Sequence, residues 1–348
     1  MIKNYHKLLL KRKRKKKIKV GIIGLGVVGK RRRFFIERNK DYQLTCASDI
    51  NFKNNFCKNN INYYKDYKTL ISKENINAVF ITLPTYLAAK VTKLFLSKKI
   101  HVFCEKPPAK NYHELNEVIK LEKKLSLIKL KYGFNHRYHN SVRVAKKIID
   151  SKKFGGIINI RAVYGKSKIV TYNKNEWRAQ KKFSGGGILL DQGIHLIDLI
   201  RFFAGDFIKF KSFISKSFWN YDVEDNAFAL LQSKKGLIAS IHSTATQWEH
   251  KFRMEITLER CLIILSGILS GSKTYGDEKI AIIPKQKINF STKNVKKKIF
   301  VFKKDNSWKE EIEEFAEIIK KDKKVLTGNS FDALQVMKMI YKIYQNDK

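Results

Sequence analysis

Proline and cysteine each occur only four times in 348 residues, and acidic side chains are outnumbered by basic ones, 31 against 72. The scarcity of proline fits the absence of any low-complexity linker, and no internal repeat is visible. Cysteines at 46, 57, 104 and 261 form no C-x-x-C pair and no metal-ligand spacing; a Cys46–Cys57 bridge stays open, though nothing asks for one. They read as small buried thiols of a reduced, cytoplasmic protein. No apolar run reaches the roughly 18 residues of a membrane span. The stretch "KRKRKKKIKVGIIGLGVVGKRRR" at 11–33 imitates a signal peptide, but it is glycine-rich, lacks an A-x-A-like cleavage site and runs into further basic residues, so export is not expected.

The shortage of acid leaves a net charge of +41. That charge brings nucleic acid, anionic lipid and anionic metabolites into consideration without choosing among them. Because the excess is spread along the chain, it reads as solvated surface lysines rather than a polyanion site, and nucleic acid is disfavoured as a partner. Residues 11–17, all basic, are the exception. With the rest of 1–17 they read as a disordered extension of repelling charges.

What is present is enough to bury real cores: 43% of the residues are apolar, and the length suits about two domains. From Ile18 short apolar runs alternate with amphipathic stretches: "KVGIIGLG", "VGKRRRFFIERNK", "YQLTCASDI", "YKDYKTLISKENI", "NAVFITLP", then a helix, "IHVFCEKP", a helix and "IKLKYGFN". This β-α order predicts a parallel sheet with helices on its faces. Residues 18–135 are therefore expected to form the first domain. In 136–348 a helix at "SVRVAKKIIDSKKFG" precedes strand-like segments interrupted by one helical stretch, "GGGILLDQGIHLIDLIRFFAG". The expected second domain is a mostly antiparallel sheet carrying one important helix, with two closing helices able to pack back on either domain.

Gly24, Gly26 and Gly29 give the spacing G-x-G-x-x-G between an expected strand and helix, with Val27 and Val28 inside the loop. The first glycine permits a tight turn, the second lets the backbone approach a pyrophosphate, and the third lets helix and strand pack closely. The helix N-terminus adds its positive end, and Lys30–Arg33 read as solvated first turns of that helix. A second strand ends in Asp49, twenty-five positions after Gly24, where a carboxylate would accept hydrogen bonds from ribose hydroxyls. This favours NAD, while Lys53 nearby leaves NADP open.

Two further segments complete a pattern: "HVFCEKPPAK", with Glu105, Lys106 and Pro107 after a strand, and Asp191-x-x-x-His195 in the helical stretch. With the glycine loop, and in this order, they resemble the Gfo/Idh/MocA oxidoreductases from about Ile18 to the C-terminus. The resemblance extends to "TLPTY" at 82–86, placing Leu83 and Pro84 at the cofactor, and to the stretches at 132–142 and 177–187. Ala88 and Asn140 depart from it, standing where many members have histidine and proline. The resemblance implies an α/β fold, with an N-terminal Rossmann parallel-sheet domain over 18–135 and a C-terminal α/β domain over 136–348 whose open, mainly antiparallel sheet serves oligomerisation, as a dimer or tetramer. It also implies NAD(P)-dependent oxidation or reduction at a carbinol of a sugar.

Removing a hydride from an alcohol requires that the hydroxyl proton leave too. His195 suits that base, its ordinary pKa lying near neutral. Asp191, four residues earlier on an expected helix, would share its face and orient the imidazole or grip a substrate hydroxyl. Lys106 would polarise the substrate oxygen, or itself accept the proton if desolvated. Glu105 is expected to fix its loop and neighbour the nicotinamide ribose. Arg137, Trp177 and Arg178 are weaker substrate candidates, and Asp198 a supporting residue. His136, Tyr138 and His139 read as structural or peripheral. No metal is expected. The substrate favoured is a nucleotide or amino sugar for surface polysaccharide, with an inositol or simple aldose as alternative. A non-catalytic nucleotide sensor binding nucleic acid through its basic tail is the rival of another class.

Overall fold

The computed structural model describes residues 16–168, 176–270, 273–285 and 296–347. The expected basic extension thus lies, up to residue 15, outside the described residues. Strand β1 (Ile18–Ile23) is buried at every position but Lys19, as a strand covered on both faces requires. It sits inside a seven-stranded sheet with β2 (Tyr42–Ser48), β3 (Phe56–Lys58), β4 (Ile61–Tyr64), β5 (Ala78–Ile81), β6 (His101–Glu105) and β7 (Leu130–Gly133), in the order β3-β4-β2-β1-β5-β6-β7. Every neighbouring pair is parallel except β3 with β4. The chain starts at β1, builds outward on one side and then crosses to the other. The crevice beyond the ends of β1 and β5 is therefore the topological switch point at which α/β sheets bind ligands.

Helices α1 (Val27–Arg38), α2 (Tyr67–Lys73), α3 (Thr85–Ser97) and α4 (Tyr112–Glu122) make the crossovers. Helix α3 buries Ala88, Val91, Phe95 and Leu96, so the alanine that departs from the family pattern is a core residue. On the opposite face lies α8 (Ser307–Lys320), whose Ile312, Phe315 and Ala316 join the core of the first sheet. The rings of Phe80, Phe103 and Phe315 meet there with centroids 5.1–5.8 Å apart.

The second sheet comprises β8 (Ile157–Gly165), β9 (Phe207–Ser215), β10 (Asn226–Ser233), β11 (Ile238–Thr244), β12 (Lys251–Leu258), β13 (Cys261–Ser266), β14 (Glu278–Pro284) and β15 (Lys298–Phe302). Its order is β15-β14-β13-β12-β8-β11-β10-β9, with β8 and β11 the one parallel pair. Helix α5 (Asn140–Asp150) leads into it, and the short α6 (Lys181–Ser184) precedes α7 (Ile194–Ala204). One face packs against α7 and the closing helix α9 (Ser330–Gln345). The other is open and carries exposed Ile158, Phe213, Phe228, Leu230 and Ile238. No helix among the described residues is long and apolar enough to cross a membrane.

The fold class is the expected one, and three details differ. The hairpin β3–β4, absent from the sequence reading, turns on Asn59 and Asn60, both at positive φ (53° and 59°), the geometry that Asn tolerates in tight hairpins. Strand β15 extends the second sheet. The long helical stretch is divided: Gly185 ends α6 in a left-handed conformation, Leu189–Gly193 winds as a π-helix, and only then does α7 begin.

Candidate active site

The glycine loop follows β1. Gly24 adopts a φ of +89°, and a Cβ on Gly29 would lie 2.0 Å from the Gly24 carbonyl oxygen, so helix and turn can approach only without side chains there. Gly26 is different: a Cβ on it would meet nothing within 4 Å. Its bareness serves no contact inside the chain and leaves room above the loop. Val27 beside it is 79% exposed, an apolar residue left uncovered at the start of a helix. Thr82 ties β5 to the loop by donating from Oγ1 to the Gly24 carbonyl (2.6 Å). Asp49 accepts from the Leu25 amide (2.6 Å) and, on its other oxygen, from Asn51. These features fit a dinucleotide: a bare cradle at a helix N-terminus, with a carboxylate beside it. Leu83 and Pro84 lie in the short turn after β5, Pro84 preceding α3.

Arg32 corrects the sequence reading. It is fully buried rather than solvated, donating to Glu105 (2.6 Å) and Glu311 (2.5 Å) and lying over the rings of Phe103 and Trp308. A buried guanidinium persists only with such partners. It holds Glu105 at the end of β6, one residue before Lys106, and connects that point to α8. Burial, opposed mainly by Arg32 and Lys131, pushes the Glu311 carboxyl up to about 7.

Lys106 reaches across to the second domain, donating from Nζ to the backbone carbonyl of Asp191 (2.7 Å). Burial pulls its ammonium pKa down, with Asp191 and Glu105 opposing and Lys166 and Arg178 assisting. The Asp191 carboxylate accepts from Lys166 Nζ at 3.1 Å and faces Arg178 Nε at 3.8 Å. Burial raises its pKa, but Lys166, Lys106 and Arg178 together hold it below the usual carboxylate range. The anticipated one-turn pairing of Asp191 with His195 is not what forms. Asp191 lies in the π-helix, which changes the angular step, and its oxygens serve cations instead.

His195, on the first turn of α7, is buried, and its Nδ1 has no hydrogen-bond partner among the described residues. Its ring stacks on His136 with centroids 3.6 Å apart. His136 in turn meets Tyr164 and Asn135 through its two nitrogens. Burial, Lys106 and His139 hold the His195 pKa well below its ordinary value. The imidazole is accordingly neutral at physiological pH.

Among the weaker candidates, Arg137 is corrected. It is buried, binds both oxygens of Asp198 (2.9 and 2.6 Å) and also Asp332, and so is committed to joining α7 and α9 rather than to a ligand. Asp198 is correspondingly structural. Trp177 and Arg178 lie at the cleft mouth: the Arg178 guanidinium covers the Trp177 ring at 4.3 Å, and Trp177 approaches Tyr86 of α3 at 6.5 Å. Lys166 and Glu224 were missed. Lys166 is one lysine among many, with no motif to mark it. Glu224 accepts from the Gly187 and Leu189 amides and from Tyr344, anchoring the turn that delivers Asp191. Among the described residues no group of His, Cys, Asp and Glu is placed to hold a metal ion.

Comparison with known proteins adds to this geometry. The family described as "Oxidoreductase family, NAD-binding Rossmann fold" matches residues 18–134, and that of the Gfo/Idh/MocA C-terminal domain matches 142–264. The uncharacterized oxidoreductase YrbE of Bacillus subtilis is 26% identical over 92% of this chain and 91% of its own length. Glucose-6-phosphate 3-dehydrogenase of the same organism is 30% identical, over 55% of each chain, so the match spans about half of that relative. The structure of levoglucosan dehydrogenase with NADH superposes with a TM-score of 0.80 at 19% identity, over 95% of this chain and 97% of that one, a likeness of fold.

Proposed function

The chain belongs to the Gfo/Idh/MocA family of NAD-binding oxidoreductases, and from that premise we propose that it acts on a carbinol of a sugar, with His195 as base and Lys106 as polariser. The observation that carries this reading is the meeting of Lys106, at the carboxyl end of β6, with the Asp191–His195 segment across the cleft that opens at the glycine loop. Gly24, Gly26 and Gly29 would hold the pyrophosphate, with Asp49 at the ribose. When bound, the nicotinamide exchanges the hydride.

The chain's own residues do the rest. His195, kept neutral by burial and neighbouring cations, takes the hydroxyl proton during oxidation and returns it during reduction. Lys106 donates to the substrate oxygen and stabilises the negative charge that develops there. Asp191 gathers Lys106 and Lys166, and Glu105, fixed by Arg32, sets the Lys106 loop.

Relatives act on levoglucosan, glucose 6-phosphate and myo-inositol. We place a nucleotide or amino sugar first among substrates, on the likeness of segments 177–195 and 270–282 to bacterial enzymes of that kind, and an inositol or simple aldose second. The same reading divides the chain between residues 135 and 136, and includes a homo-oligomer formed through the open face of the second sheet. The test is a sugar panel incubated with NAD while the absorbance of the reduced nicotinamide is followed. Turnover of nucleotide sugars supports the preferred substrate; turnover of inositol with silence on every nucleotide sugar reverses the order.

A further inference from the structure

We propose that the substrate carries an anionic group, a phosphate or a carboxylate, bound at the cleft mouth by Lys166 and Arg178; this rests on the assignment of the cleft to a sugar carbinol. A neutral sugar is gripped through its hydroxyls, chiefly by carboxylates and amides that accept from them. This cleft offers the opposite balance. Its carboxylate, Asp191, is already engaged by Lys166 at 3.1 Å and faced by Arg178 at 3.8 Å, while its backbone carbonyl takes Lys106 at 2.7 Å. The charges within reach are Lys106, Lys166 and Arg178 against Asp191, Glu176, bonded to Arg178 at 3.1 Å, and Glu105, which acts on Lys106 and is itself paired with Arg32. At the mouth itself Lys166 and Arg178 both turn to the one carboxylate of Asp191, and the field of Lys168, with that of Lys166, is felt at nearby His250.

The two mouth cations are also accessible. Arg178 keeps 36% of its side chain exposed and Lys166 keeps 19%, so both present donors outward as well as toward Asp191. Lys166 is held on a firm base: its amide donates to the Thr244 carbonyl, and its carbonyl accepts from the Gln247 amide. The Arg178 guanidinium is seated over the Trp177 ring, 4.3 Å from its centroid. A guanidinium held flat presents the fork that matches a planar or tetrahedral oxyanion, and a neighbouring ammonium adds a point charge. A substrate anion would complete this arrangement, whereas a neutral polyol would leave the two mouth cations with Asp191 and Glu176 alone.

The experiment titrates NADH-loaded protein, by calorimetry, with pairs that differ in charge: glucose and glucose 6-phosphate, galactose and galacturonate, N-acetylglucosamine and UDP-N-acetylglucosamine. At least one charged member is expected to bind roughly tenfold or more tighter than its neutral partner, and the advantage should shrink as salt is added. The pair that shows it identifies the anion as monophosphate, carboxylate or diphosphate. The charged-to-neutral ratio should collapse in Lys166→Gln and in Arg178→Gln, each first shown to bind NADH as a control of folding. Charged members that bind no tighter than neutral ones, including no binding by either, overturn the proposal, as does a preference that survives both substitutions. A charge preference without NAD reduction on any sugar would instead remove the carbinol assignment. Turnover of neutral sugars without a charge preference would leave that assignment standing and remove this one.

Discussion

His195 and the loop glycines carry the sharpest expectations for single residues. Substituting His195→Ala should lower kcat by about 10²–10⁴-fold, the usual contribution of a positioned general base, while NADH binding, followed by nicotinamide fluorescence, is retained. Because burial, Lys106 and His139 hold the imidazole pKa below its ordinary value, the neutral form persists into acid. The acid limb of the kcat profile for oxidation should therefore lie below about pH 6.5, the ordinary histidine value. A limb above it would contradict the assignment of the base. Gly26 and Gly29 should separate cleanly. Gly29→Ala places a methyl 2.0 Å from the Gly24 carbonyl and should unfold the loop, whereas Gly26→Ala meets nothing in the chain and should fold normally with NAD affinity weakened by roughly tenfold or more. Melting temperature together with NADH titration distinguishes the two. The glycines were legible because their spacing has a mechanical reason. Arg32 and Arg137 were not, since in a chain with 72 basic residues nothing local tells an arginine committed to buried carboxylates from one in water. Lys166 was hidden for the same reason, its meaning lying wholly in its distance to Asp191.

Among the elements, the segment from Gly187 to Ala204 decides the site. Helical spacing predicted that Asp191 and His195 would share a face, and they do lie on one continuous helical stretch, but the π-turn at Leu189–Gly193 changes the step and sends the carboxylate to Lys166. Periodicity reads apolar residues well and cannot register one widened turn. What holds that turn is Glu224, two residues before β10, which accepts from the Gly187 and Leu189 amides. Glu224→Ala strands two amide donors and a tyrosine hydroxyl, and should cost on the order of 3 kcal/mol in a urea titration. Glu224→Gln keeps an acceptor and should recover part of that loss. Equal stability of the alanine variant and the parent would show that the turn needs no anchor. The strands, by contrast, were legible almost throughout, because parallel strands buried on both faces are nearly continuous apolar runs. The exceptions are β3–β4, short and set by its asparagine turn, and β15, an exposed strand at the edge of the second sheet.

At the scale of the whole molecule, the two sheets are joined by chain that returns from the second domain to the first. Helix α8 places Phe315 against Phe80 and Phe103 and brings Glu311 to Arg32. Phe315→Ala should cost about 3–5 kcal/mol. The Glu311 carboxyl, raised by burial from 4.5 to about 7, binds a proton in the folded state that the unfolded chain lacks between those values. Its contribution to stability therefore falls as pH rises through that window, and Glu311→Gln should flatten the dependence in urea titrations between about pH 5 and about pH 7. An unchanged slope would show that Arg32 keeps the carboxyl ionised throughout. The cleft between the domains is where the chemistry is assigned, and one measurement reaches it most directly: NAD reduction on a panel of neutral, phosphorylated and nucleotide-linked sugars, compared between the parent and His195→Ala. The account predicts turnover on at least one sugar, falling by about 10²–10⁴-fold in the variant with NADH binding intact. Full turnover by His195→Ala would contradict it.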